Sequence, residues 1–191
     1  MARSTRPRPR PAALLLALLL ALLLAPLAAR AEAPKPYAAL SGGGHLGAFR
    51  YRPWGGREED TGYQLGGGQA PAVRFAPFYL GLSQGALARW YPGRGFALGH
   101  TYDSWVSWTL GPFQPEVRVG ISSLLLDRID GRWGVQIGSP RVATGFSIHA
   151  GPLDLGAFVF REYSWRWTGQ DLLLTGLYLD VRFEGKREDL D

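Results

Sequence analysis

The sequence predicts an all-β protein, an antiparallel up-and-down β-barrel of about eight strands preceded by a signal peptide helix. Three observations carry that expectation. Apolar residues recur with period two, glycine and aromatic residues are abundant, and the first 31 residues have the layout of an export signal.

The leader comes first in the chain. Arg3, Arg6, Arg8, Arg10 and Arg30 bracket a run of only Ala and Leu from 12 to 25, followed by Pro26 and by an A-x-A site at Ala29 and Ala31. A basic n-region, an apolar h-region and a small-residue cleavage site make a secretory signal peptide over 1–31. The apolar run falls short of the roughly 20 residues that a spanning helix needs, and Pro26 would break it. Cleavage after Ala31 leaves 160 residues, 32–191, as one β-barrel domain that ends in a short charged tail over 184–191.

The formal charge of +5 belongs to this leader, because from Glu32 onward 16 basic residues face 16 acidic ones. A neutral chain lacks the basic face that phosphate binding requires, so nucleic acid is excluded as a partner. There is no cysteine, which removes disulfides and thiolate metal sites. All 26 glycines follow residue 31, about 16% of that part against a usual 7% or so. Such a chain forms helices poorly, whereas its 24 aromatic residues favour strands.

The strands are expected at 37–52, 72–90, 95–110, 115–128, 132–138, 142–150, 154–167 and 171–184. Short connections make sequential neighbours antiparallel. The breaks are "PWGGREEDTG" at 53–62, "YPGRG" at 91–95, "GPFQ" at 111–114, "SPR" at 139–141, "GPLD" at 151–154 and "TGQ" at 168–170. Asp130-Gly131 marks a type I′ hairpin, since both positions tolerate the positive φ that turn demands. "GYQLGGGQAP" at 62–71 fits either a long loop or an additional strand.

Alternation assigns the faces. Val117, Val119, Ile121 and Leu125 share one side, with Glu116, Arg118, Gly120 and Ser122 on the other. Val142, Phe146 and Ile148 oppose Ala143, Gly145, Ser147 and His149. In the last strand Leu173, Leu177, Leu179, Val181 and Phe183 oppose Gly176, Tyr178, Asp180 and Arg182. A soluble barrel would turn the apolar side inward; an outer-membrane barrel turns it to lipid and keeps a polar lumen. Two features favour lipid. Trp54, Trp90, Trp108, Trp133, Trp165 and Trp167 lie near predicted turns, where membrane interfaces place aromatic girdles. The pairs Glu116 with Arg118 and Asp180 with Arg182 suit a narrow lumen packed with glycine and ion pairs.

The signal peptide, the opening "YAALSGGGHLGAF", strands such as "VRFAPFYLGLS" and the closing "TGLYLDVRF" together resemble the small eight-stranded outer-membrane β-barrels related to OmpA and OmpX. The resemblance covers 37–183 and is most specific in the last strand, with Gly176, alternating apolar residues and a closing aromatic at Phe183. Here the chain continues for eight residues beyond that aromatic. The resemblance implies a cell outer-membrane protein of a Gram-negative envelope, with outer-membrane lipid around it. It also implies envelope or extracellular ligands at its loops and a structural, adhesive or ligand-contacting role without general porin activity. No enzyme activity and no cofactor are expected.

Two alternatives stand beside that reading. One is a lipid-modifying enzyme on the same barrel: Ser147 and His149 are two apart and share a face, the residue types of a nucleophile and its general base, with Asp103 or another acid as orienter. The other is a soluble periplasmic lipocalin-like barrel binding a small apolar ligand. His45 and His100 stand in strands without a spacing that predicts a metal site, and His100 and Asp103 fall on opposite faces. "REED" at 57–60 reads as a solvated loop. The oligomeric state is left open by the sequence.

Overall fold

In a computed structural model the described residues are 36–53, 56–75, 77–150, 152–165 and 171–189. The signal peptide and the residues Trp54 and Trp167 lie outside them. Eight strands, β1 (Tyr37–Pro53), β2 (Asp60–Phe75), β3 (Phe78–Tyr91), β4 (Gly95–Trp108), β5 (Phe113–Ile129), β6 (Arg132–Ala150), β7 (Leu153–Ser164) and β8 (Leu172–Asp189), close into one barrel. Each pairs antiparallel with its sequence neighbours, and β1 pairs with β8. Even strand number returns both ends of the barrel chain to one mouth, here the terminal end; Pro53 at the end of β1, Asp60 at the start of β2 and the Asp130-Gly131 turn lie at the other, the loop end. The shortest strand has 12 residues, enough for the 9–11 that a tilted spanning strand uses.

The expected strand count holds through two compensating differences. The run 72–90 divides at a two-residue connection, across which Phe75 pairs with Phe78, and "GYQLGGGQAP" belongs to the 16-residue β2. Conversely 132–138 and 142–150 are one 19-residue strand. "SPR" is therefore not a break. Gly138, at φ 67°, sits where the β5–β6 register slips, and its N–H donates to Ser123 Oγ at 3.1 Å. A bulge of this kind inserts a residue and switches which side chains point inward. Gln136 is inward on one side of it, Ser139 and Arg141 on the other.

At the predicted hairpin Asp130 has φ 54° and Gly131 φ 73°, the two positive values of a type I′ turn. The segment anticipated as a charged tail behaves differently at its start, since β8 continues past Phe183 and pairs Asp189 with Tyr37.

The two faces are inverted relative to a soluble protein. Val119, Ile121, Val142, Phe146, Leu177, Leu179 and Phe183 are exposed, while Glu116, Arg118, Ser122, Ser147, Asp180 and Arg182 are buried in the lumen. In β7 Phe158 and Phe160 point inward while Val159 points out. Space for both rings comes from glycines: a Cβ on Gly145 would lie 2.8 Å from Phe158, and one on Gly176 would lie 2.6 Å from Phe160. Trp90, Trp133 and Trp165 project outward at the loop end, and Trp108 stands beside Phe78 at the terminal end with ring centroids 6.3 Å apart. These form two girdles. Among the described tryptophans Trp105 is the exception, buried in the lumen.

Candidate functional site

The lumen is filled in layers. At the loop end Phe49, Tyr51 and Tyr91 stack edge to face, with centroids 4.9 and 5.5 Å apart at Tyr91, against buried Ile129, Leu172 and Leu174. At the terminal end Tyr37 and Tyr79 share a 2.7 Å hydrogen bond, packed with Trp105 in a second apolar cluster. Arg74 lies over Tyr79 at 4.9 Å. Charged residues occupy the space between these two plugs.

Two ion-pair systems cross it. Arg89 donates through both terminal nitrogens to Glu162, at 2.6 and 2.5 Å, with both side chains fully buried. Ser122 Oγ also donates to Glu162 at 2.7 Å and accepts from Gln136 Nε2 at 3.2 Å, and Ser164 donates to Gln136. Nearer the terminal end, Arg118 binds Glu116 and Asp180 at 2.5 Å each, and Arg182 binds Glu116 at 2.9 Å. The pairs expected from sequence thus interlock across the lumen. Glu116 and Arg118 of β5 meet Asp180 and Arg182 of β8, strands that do not neighbour each other in the wall.

Arg141 is held more loosely, with Nε 3.4 Å from Asp103. Its Nη1 and His45 Nε2 are buried without a hydrogen-bond partner in the protein. Both residues line a cavity of about 50 Å³ together with Arg118, Asp103 and Asp180. At about 10–15 Å³ for each water centre, that is room for several waters.

The Ser147 and His149 pair lies at the terminal end. Both face inward, as alternation required. His149 Nδ1 hydrogen-bonds Asp154 Oδ1 at 2.6 Å, its register partner on β7. The acid beside His149 is therefore Asp154, while Asp103 faces Arg141. Ser147 Oγ is buried and has no hydrogen-bond partner. His45 sits inside, 5.0 Å from the Tyr178 ring, while His100 points outward. Among the described residues no group of three or more His, Cys, Asp or Glu is placed to hold a metal.

At the loop end Arg94 ties the β3–β4 turn to the β5–β6 hairpin, with Nε 2.8 Å from Asp130. That hydrogen bond raises the Arg94 pKa further. On the outer wall Arg50 and Arg161 both pair in register with Thr175, and Arg52 lies two residues beyond Arg50.

No family model matches this chain, and no curated protein matches it by sequence. Among solved structures, Neisserial surface protein A aligns with a TM-score of 0.53 at 15% identity, covering 76% of this chain and 97% of that one. The fold is that of a small outer-membrane β-barrel. Two further structures of this type also align. They are the N-terminal barrel domain of Pseudomonas aeruginosa OprF (TM-score 0.42, 16% identity, 74% and 99% covered) and the attachment invasion locus protein Ail of Yersinia pestis (0.45, 13%, 78% and 99%).

Proposed function

We propose that this chain is an integral protein of the cell outer membrane, with a structural, adhesive or ligand-contacting role and no enzymatic or porin activity. The observation that carries this reading is the inverted barrel. Arg89, Glu116 and Glu162 are at most 2% exposed, whereas Leu46, Trp90 and Phe183 are 60% exposed or more. In water that outer wall would be an aggregation surface far beyond the few hundred Å² of contiguous apolar patch a soluble monomer tolerates. In lipid the same wall is solvated, and every strand finds its partner by closure.

Heat modifiability and fractionation test this. The protein is expected in the outer-membrane fraction, running faster on a gel before boiling than after. A soluble protein without that shift would overturn the assignment and favour the periplasmic lipocalin-like alternative.

Ligand contact falls at the loop end, where Arg50, Arg52 and Arg161 gather on the outer wall around Thr175. The Arg50 side chain is 76% exposed and only 3.5 Å from Glu59. Three guanidiniums at a membrane interface suit phosphate or sulfate groups. The variant R50A/R161A should lose most of the binding to a sulfated polysaccharide bead, and unchanged retention would remove these residues from the ligand site.

The lipid-modifying alternative rests on the His149–Asp154 hydrogen bond. It is disfavoured because Ser147 Oγ is fully enclosed and unbonded to His149, although a nucleophile requires its base within hydrogen-bond reach. H149A is expected to leave the membrane lipid species unchanged by mass spectrometry; an altered profile would reinstate the enzyme.

A further inference from the structure

The outer wall is not uniform. On β7 and β8 the outward positions at mid-strand are Val159, Leu177, Leu179 and Val181, a surface suited to acyl chains. On β2, β3 and β4 the same level carries Gln69, Gln84 and His100, all exposed. Register places Gln69 directly opposite Gln84, with Gly42 and Tyr102 as their outer neighbours in the row. The adjacent row is Gly44, Gly67, Ala86 and His100.

Depth makes these residues anomalous. Along β3, Gln84 is six residues from Trp90 and six from Phe78, the girdle aromatics at the two ends. Six residues rise about 20 Å, so with strands tilted about 40° Gln84 lies near the middle of an apolar band about 25 Å tall. A carboxamide there has no water to bond. Gln69 and Gln84 stand opposite each other, but each carries two N–H donors and a carbonyl acceptor, more than one mutual contact uses, and polar groups inside a membrane normally face a partner.

One row nearer the loop end the surface forms an open furrow of about 670 Å³, with Ala86 and Ala88 as its low floor, Leu65, Leu98, Leu125 and Leu126 beside it, and His100 as its polar lining residue. Small residues beside polar ones are the pattern by which membrane proteins bring two backbones close and then bond them.

We propose that the β2–β4 wall is a lateral interface with a second copy of this chain. The inference rests on the membrane-spanning reading above. Two copies inserted in the same direction can be related only by an axis along the membrane normal, so each residue meets residues of its own depth. The Gln69–Gln84 row then faces its own equivalent. A carboxamide carries both donors and an acceptor and is its own complement, as a twofold interface requires. No other membrane partner is obliged to place a polar group at that level. Two convex walls also touch along only a narrow strip, and the amide row and the furrow row beside it are adjacent rows of the same three strands.

Because the chain contains no cysteine, site-directed crosslinking tests this directly in isolated outer membranes. A86C lies in the furrow and V159C on the opposite wall. After oxidation A86C is expected to give at least ten times more disulfide-linked dimer than V159C. Q69L/Q84L introduced into A86C should bring the dimer down to the V159C level. Equal crosslinking of A86C and V159C, in protein that shifts on boiling, would overturn the interface while leaving the membrane reading intact. An A86C adduct of a different mass would replace the second copy by another partner and equally overturn it. An undiminished dimer in Q69L/Q84L would refute the role of the amides. Loss of the boiling shift in the parent protein would instead refute the membrane reading, and the interface with it.

Discussion

Truncating Glu162 to alanine is expected to destabilise the barrel by about 3–5 kcal/mol, while R89M/E162L should fold with nearly parental stability. Both side chains of the pair are fully buried and joined by two hydrogen bonds. Removing one partner leaves a desolvated guanidinium facing the plug of Phe49, which already lies 5.8 Å from Arg89. It also releases Ser122, whose hydroxyl loses its acceptor and loosens the link to Gln136. Replacing both charges with apolar groups of similar volume removes the uncompensated ion, and the neighbouring aromatic and aliphatic side chains can accept the substitution. Urea titration of liposome-inserted protein, followed by tryptophan fluorescence, measures the difference. If E162A and R89M/E162L proved equally unstable, the cost would lie in shape rather than in the stranded charge.

Different parts of this structure were legible in the sequence to different degrees, and the reason is range. Alternation is a local property, so the inward placement of Glu116, Arg118, Asp180 and Arg182 could be read from neighbouring residues alone. The type I′ hairpin needed only two residues. Punctuation was less reliable, because glycine and proline serve both turns and bulges. "SPR" follows Gly138, and the pair looks like a break, yet the positive φ of Gly138 produces a register slip inside one strand. In "GYQLGGGQAP" the glycines obscured the alternation that makes β2, where inward Gln64 and Ala70 flank Gly66 and Gly68.

What lay beyond the sequence was pairing across the barrel. Arg89 and Glu162 are 73 residues apart, and nothing local distinguishes them from surface charges. The partner of His149 illustrates the same limit at short range: Asp154 is only five residues away, but it becomes a neighbour through the β6–β7 register. The outward Gln69 and Gln84 acquire meaning only once their strands are paired and their depth is known.

Glycine supplies the other large expected effect. G68V should fail to form the compact barrel, losing the faster-running unboiled band, whereas G111A should keep it at a cost of about 1–2 kcal/mol for its left-handed backbone. Gly43, Gly68 and Gly85 meet in one row across β1, β2 and β3. A Cβ at Gly68 would run into the Gln84 carbonyl and lie 2.5 Å from Gly85 Cα, and one at Gly85 would lie 2.5 Å from the Gly67 carbonyl oxygen. Those obstacles are backbone and cannot rotate away, so even one methyl group must displace a strand. A penalty of 4 kcal/mol or more, exceptional for a single substitution, follows from that mechanism. Gly111 has φ 65° and open space where its Cβ would stand, so only conformational strain opposes the change there. The abundance of glycine is thus tied to the charged lumen. Arg118, Arg141 and Arg182 line the same cavity as Gly43, Gly68 and Gly85, and side chains at those three glycine positions would compete with the arginines for its volume. If G68V ran as a heat-modifiable band with parental stability, the β1–β3 wall would have slack that its strand spacing does not show, and the link between glycine and charge would fail.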